Sequence, residues 1–240
     1  YYGCVTMLDY HIGRLLKYLK REGLEKDTLV IFTSDNGPEH RPATSFGTPG
    51  KLRGAKGHMH EGGYRVPGIL KWPGRIVPQT ISSEPVNGTD FLPTIAAVVG
   101  AKPKYPNKLD GINVFPAVAS GKKVNRDTPM LWWLWHARGA KEVSMRIGDY
   151  KMLANMLPQP EVSIRDTRTP PGVSIMDFIK KSGLGNFTLY NLKNDPSETT
   201  ELSITEPELY SSMRQRFIEL HAEICAEGPY YELQSRKKKE

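Results

Sequence analysis

Cysteine is scarce in this 240-residue chain: Cys4 and Cys225 stand near opposite ends and neither belongs to a Cys-x-x-Cys pair. That excludes a thiolate metal site and a dithiol redox motif, and two free buried thiols are the expectation, with a disulfide between them left open. Missing too is any apolar run approaching the roughly 20 residues that cross a bilayer, so no membrane span is expected. No internal repeat is present. The opening Tyr1-Tyr2-Gly3 lacks an initiating Met, a basic n-region and an apolar h-region, and it reads as the interior of a longer polypeptide. A strong excess of one charge is lacking as well. Of the formal +7, Arg236, Lys237, Lys238 and Lys239 against Glu240 supply a net +3 that reads as a solvated tail. The remaining +4 is a weak argument for nucleic acid, which is not expected as a partner, and suits an anionic substrate equally well.

With 38% hydrophobic and 25% charged residues the composition is that of a globular protein, and the length allows a body with a smaller appendix. From Tyr2 to about Arg21, Val5, Leu8, Ile12, Leu15, Leu16 and Leu19 follow helical spacing, and Gly23 ends the helix. The unalternating run Thr28 to Phe32 predicts a strand covered on both faces in a parallel or mixed sheet. Val66 to Trp72 predicts another strand, with Pro67 at its start. A helix is expected over Asp90 to Val99, capped by Thr89 or Asp90 and stopped by Gly100, and a short one at Phe115 to Ala119. Beyond about 125 the texture changes. Met130 to Trp135, Val143 to Ile147, Tyr150 to Ala154 and Thr188 to Leu192 predict a small antiparallel sheet. A long helix opens at Pro207, carries Leu209, Met213, Phe217, Leu220 and Ile224, and stops at Gly228-Pro229. The expected fold class is α/β, divided into an α/β part over 1–125 and a small α+β subdomain over 126–240.

Two stretches carry chemistry. Where the strand Leu29 to Phe32 runs out into Thr33-Ser34-Asp35-Asn36-Gly37, a carboxylate and an amide oxygen stand side by side, a pairing suited to a hard cation. Asn-Gly after a β-run is also an ordinary turn signal. About 20 residues on, the glycines at 54, 57, 62 and 63 bracket Lys56, His58, His60 and Glu61. An ammonium beside a divalent cation is what a doubly coordinated oxyanion needs. A zinc pair at His58 and His60 lacks a Cys or a third nearby His, and a solvated surface loop is the bland alternative.

Together these residues resemble the second half of a type I sulfatase of the alkaline-phosphatase-like superfamily. The resemblance rests on T-S-D-N-G after the strand and on G-A-K-G-H-M-H-E-G-G-Y-R-V-P before the next. It continues through Asp90-Phe91-Leu92-Pro93-Thr94, Leu109-Asp110-Gly111, and Leu189 to Thr199 with its D-P-S-E run. It implies a partial alkaline-phosphatase-like wound sheet followed by the small antiparallel sheet packed with the long helix. It implies that Asp35 and Asn36 give oxygens to Ca²⁺ and that Lys56 contacts a sulfate oxygen and the leaving-group oxygen. His58 and His136, and further Arg53, His60 and Arg138, are implied as rim contacts to sugar or sulfate. The implied substrates are sulfated carbohydrates or aryl sulfate esters, and family members are commonly periplasmic, secreted or lysosomal.

One departure matters. The family nucleophile is a formylglycine made from the cysteine of Cys-x-Pro-Ser-Arg, whereas Cys4 stands in C-V-T-M and Cys225 in C-A-E-G. The nucleophile is therefore expected upstream, in a missing amino-terminal half, and this chain alone is expected to bind Ca²⁺ weakly and to turn nothing over. A sulfated-glycan-binding module without activity, and a phosphoryl or phosphonate hydrolase of the same superfamily, are the competing readings.

Overall fold

A computed structural model describes residues 1–39, 47–102, 104, 108–134, 142–157 and 180–228. The chain forms two compact units, one of Tyr1–Thr48 with Arg65–Met130, the other of Pro49–Tyr64 with Leu131–Glu240.

In the first unit, α1 (Tyr2–Arg21) ends as its sequence requires: Gly23 takes φ +72°, and Leu24 N–H reaches back to Leu19 O at 2.9 Å. A 3-10 turn at Glu25–Asp27 leads into β1 (Val30–Thr33), which pairs antiparallel with β2 (Gly68–Lys71) in the register Val30 to Lys71 and Thr33 to Gly68. Lys71 Nζ meets Glu25 at 2.5 Å and Trp72 Nε1 donates to Lys26 O at 2.6 Å, tying the end of β2 to the turn before β1. The unalternating run predicts burial on both faces, but Val30 to Phe32 are half-buried and Thr33 is exposed. β-branched and aromatic residues report strand propensity whether or not both faces are covered.

The helix expected at 90–99 forms as α3 (Phe91–Val98), which follows in chain order the single turn α2 (Glu61–Tyr64) of the other unit. Asp90 is its N-cap, as expected, though its side chain makes no cap bond to the helix; the side-chain cap belongs to the turn before it. Asn87 accepts from Thr89 N at 3.2 Å in a 3-10 turn over Gly88–Asp90, and Asp90 accepts from Asn87 N at 2.9 Å. Asp90 is otherwise committed to Arg126 in a two-pronged ion pair of 3.0 and 2.8 Å and to Ile112 N at 2.9 Å. α4 (Phe115–Ser120) follows and closes at Gly121, φ +69°. The described buried apolar residues of this unit are few: Val114, Ala117, Ala119 and Met130.

The second unit holds a four-stranded antiparallel sheet in the order β3 (Met130–Leu134), β4 (Glu142–Ile147), β5 (Tyr150–Leu157), β6 (Gly183–Asn191). Gly148-Asp149 makes the two-residue turn between β4 and β5, with Gly148 at φ +56°. β6 starts five residues before the expected Thr188, because a bulge between Leu153 and Asn155 carries the pairing past Asn186, at φ +53°, down to Gly183. The closing helix α5 (Pro207–Glu227) lays Met213, Phe217 and Leu220 onto Val143, Met145, Met152, Ala154, Met156 and Leu189, as its stripe predicts. Neither cysteine forms a disulfide among the described residues. Cys225 is buried as expected, but Cys4 is exposed, since no residue of α1 is buried.

Candidate functional site

The chain leaves β1 through Ser34-Asp35-Asn36-Gly37. Asp35 is exposed and Asn36 half-buried. Asn36 Nδ2 donates to Gly37 O at 2.9 Å, so Oδ1 is the amide atom left for a cation, and Ser34 Oγ makes a long 3.5 Å approach to Asp35 Oδ1. Two hard oxygen donors on adjacent residues fit the chemistry of Ca²⁺, which takes six to eight such oxygens. They are a partial set: among the described residues no group of three or more His, Cys, Asp or Glu is gathered for a metal.

Residues 53–64 build the other candidate. Ala55 O accepts from His58 N at 3.0 Å, closing a turn with Lys56 and Gly57 at its corners. Gly57, at φ +92°, supplies the positive φ that a type II turn needs at its third position. Lys56 is thereby presented exposed between buried Ala55 and buried Met59, while His58 Nδ1 turns back to Ala55 O at 3.1 Å. Gly62 N donates to Arg53 O at 2.7 Å and so closes the loop. The backbones meet so closely that a Cβ on Gly62 would stand 2.5 Å from Gly54 O, and one on Gly63 would collide with His58 O.

Beneath the loop lies a cluster that sequence reasoning did not single out. Lys151, on β5, is fully buried, with Nζ 2.7 Å from Glu198 Oε1 and 3.2 Å from Glu61 Oε1. Glu61 N donates to Glu198 Oε2 at 2.6 Å, and Tyr64 OH donates to Glu61 at 3.1 Å. The ammonium also stands 4.6 Å above the Tyr64 ring, which stacks on Trp132. Arg53 Nη1 donates to Glu198 O at 3.0 Å. Burial raises the Glu198 carboxyl, against the pull of Lys151, and burial with the Glu61 charge lifts the Tyr64 phenol well above its ordinary range. His60 is driven the other way, down to about 3, by burial and then by Arg53, Lys151 and His58. A buried ion set of this kind adds little net stability over apolar packing, yet deleting one partner costs about 3–5 kcal/mol.

The sequence-expected residues thus divide. Lys56, His58, His60 and Arg53 are brought together by one loop, and Asp35 with Asn36 follow β1. His136 and Arg138 lie outside the described residues.

The Sulfatase family model matches residues 1–101. A sulfatase of Formosa agariphila is 34% identical over 218 residues, covering 86% of this chain and 36% of the relative. Human arylsulfatase A is 32% identical over 213 residues, covering 87% and 40%. The crystal structure of Ps i-CgsB in complex with k-i-k-neocarrahexaose superposes with a TM-score of 0.68 at 27% identity, over 91% of this chain and 42% of that one. The chain belongs to the sulfatase family.

Its fold is accordingly a mixed α/β portion of the alkaline-phosphatase-like sulfatase architecture, with the antiparallel sheet and long helix of the second unit. This sulfatase chain spans about two fifths of the length of the relatives it matches. No described helix is long and apolar enough to cross a membrane.

Proposed function

We propose that the protein carrying this chain hydrolyses sulfate esters, of sulfated carbohydrates or of aryl sulfates. In this reading Asp35 and Asn36 contribute oxygens to a Ca²⁺, and Lys56 contacts a sulfate oxygen and the departing oxygen. His58 and His136 serve at the substrate rim. The observation that carries the proposal is Lys56 itself: an exposed lysine on a glycine-shaped turn between buried Ala55 and Met59, within a chain of the sulfatase family. Bound Ca²⁺ withdraws charge from sulfuryl oxygens, and an ammonium offsets charge developing on the leaving alkoxide or phenoxide.

Neither cysteine stands in a formylglycine motif, so the nucleophile is assigned to polypeptide outside these 240 residues. By the same family resemblance the protein is periplasmic, secreted or lysosomal. Assay of 4-nitrophenyl sulfate and sulfated oligosaccharides with the longer polypeptide tests the proposal. Lys56→Ala is expected to lower kcat/KM by about 10²–10³-fold, the usual effect of losing one transition-state donor. Unchanged rates in that variant would remove Lys56 from the chemistry, and salt-sensitive heparin binding without hydrolysis would favour a glycan-binding module.

A further inference from the structure

We infer that Glu198 is a positioning residue for Lys56 and His58: it holds both ends of the 53–62 loop and so fixes the turn at its tip. The D-P-S-E run that ends in Glu198 is otherwise without a role in the proposed chemistry. This inference deepens the reading of Lys56 given above and rests on it for its catalytic part.

Three atoms of one residue do the holding. The backbone oxygen of Glu198 takes Arg53 Nη1 at 3.0 Å at the start of the loop, and Oε2 takes Glu61 N at 2.6 Å at its end. Oε1 meets Lys151 at 2.7 Å, and the same ammonium bridges to Glu61 Oε1 at 3.2 Å. Ser197 Oγ adds a bond to Lys51 O at 2.7 Å, just ahead of the loop. Between the two clamped ends, Gly62 N to Arg53 O and His58 N to Ala55 O leave the backbone few alternatives.

The residue is also held in an unusual shape. Glu198 takes φ +54°, a left-handed conformation that side chains with a Cβ seldom adopt, while wholly buried. Asp195 imposes it: its Oδ2 accepts from Thr199 N at 2.7 Å and Thr200 N at 2.9 Å, folding the Pro196-Ser197-Glu198 turn around it. Apolar residues of similar volume would fill the space at least as well, so strain and buried charge spent here point to a demand for register.

The test compares Glu198→Ala, which removes the clamp, with Glu198→Gln, which keeps an oxygen for Glu61 N. In the 240-residue chain, amide hydrogen exchange at His58, Gly62 and Gly63 reports the loop, and exchange in β5 and α5 reports the core. Glu198→Ala is expected to speed loop exchange about tenfold or more beyond the rise in core exchange that follows from leaving Lys151 with Glu61 alone, with Glu198→Gln recovering part of the loop protection. In the sulfate-ester-hydrolysing polypeptide the loss is expected in kcat with KM little changed. Loop and core exchange rising by the same factor in both variants, or neither rising, would overturn the inference. Should the longer polypeptide prove inactive while the exchange pattern holds, the functional reading fails and the positioning role stands. An unchanged kcat in Glu198→Ala alongside a loosened loop would overturn the catalytic part.

Discussion

His60 and Lys56 lie one turn apart in the same loop and meet opposite surroundings. Lys56 is exposed, whereas His60 is partly buried, and burial first, then the Arg53 and Lys151 charges, hold its imidazole neutral down to about 3 instead of the ordinary 6.5. A depressed folded value means that unfolding takes up a proton below 6.5. The stability this group contributes is therefore complete above pH 6.5 and is lost as pH falls toward about 3. Urea midpoints measured across that window are expected to fall less steeply in His60→Gln than in the unaltered chain, and parallel slopes would contradict this. The candidates Asp35, Asn36 and Lys56 stand out in the sequence because adjacent oxygen donors and a glycine-flanked cation are local patterns. The Glu61, Lys151 and Glu198 cluster does not, because its members pair across 90 and 137 residues. Lys151 did leave a trace, as the one charged residue in the largely apolar strand Tyr150–Leu157.

Among elements, α5 was readable down to its stripe, since five apolar residues at helical spacing demand an apolar partner whatever lies across from them. Phe217 sits at the centre of that stripe, wholly buried and edge-on to Phe187 at 6.1 Å. Phe217→Ala is expected to cost about 3–5 kcal/mol, measured as a shift in the denaturation midpoint. A loss below about 1 kcal/mol would mean that the helix repacks freely. The start of β6 was not readable. Gly183-Leu184-Gly185-Asn186 carries turn chemistry, and only its pairing with Asn155, Met156 and Leu157 draws it into the sheet. The turn α2 was equally hidden, since two of its four residues are glycines and its burial comes from distant partners.

Across the whole molecule the two units differ in what they bury. The second has a continuous apolar cluster beneath α5, while the first leaves Val5, Leu8, Leu15, Ile69, Leu92, Ile95 and Val99 between 43% and 68% exposed. Amides of β5 and α5 are therefore expected to exchange at the slow limit set by cooperative unfolding, and those of α1 faster by about a hundredfold or more. Equal protection in both would contradict this ordering.

The placement of residues 49–64 has a practical corollary for dissecting the gene. They leave the polypeptide between β1 and β2 yet belong with the sheet formed after residue 130, so the thread passes from one body to the other and back before passing again. A clone beginning at 131 would omit Glu61 and Met59, stranding Lys151 with a single counter-charge and baring the face formed by Leu153 and Tyr190. No single scission releases either body intact; an independent second body would need the 49–64 stretch grafted back through a designed linker.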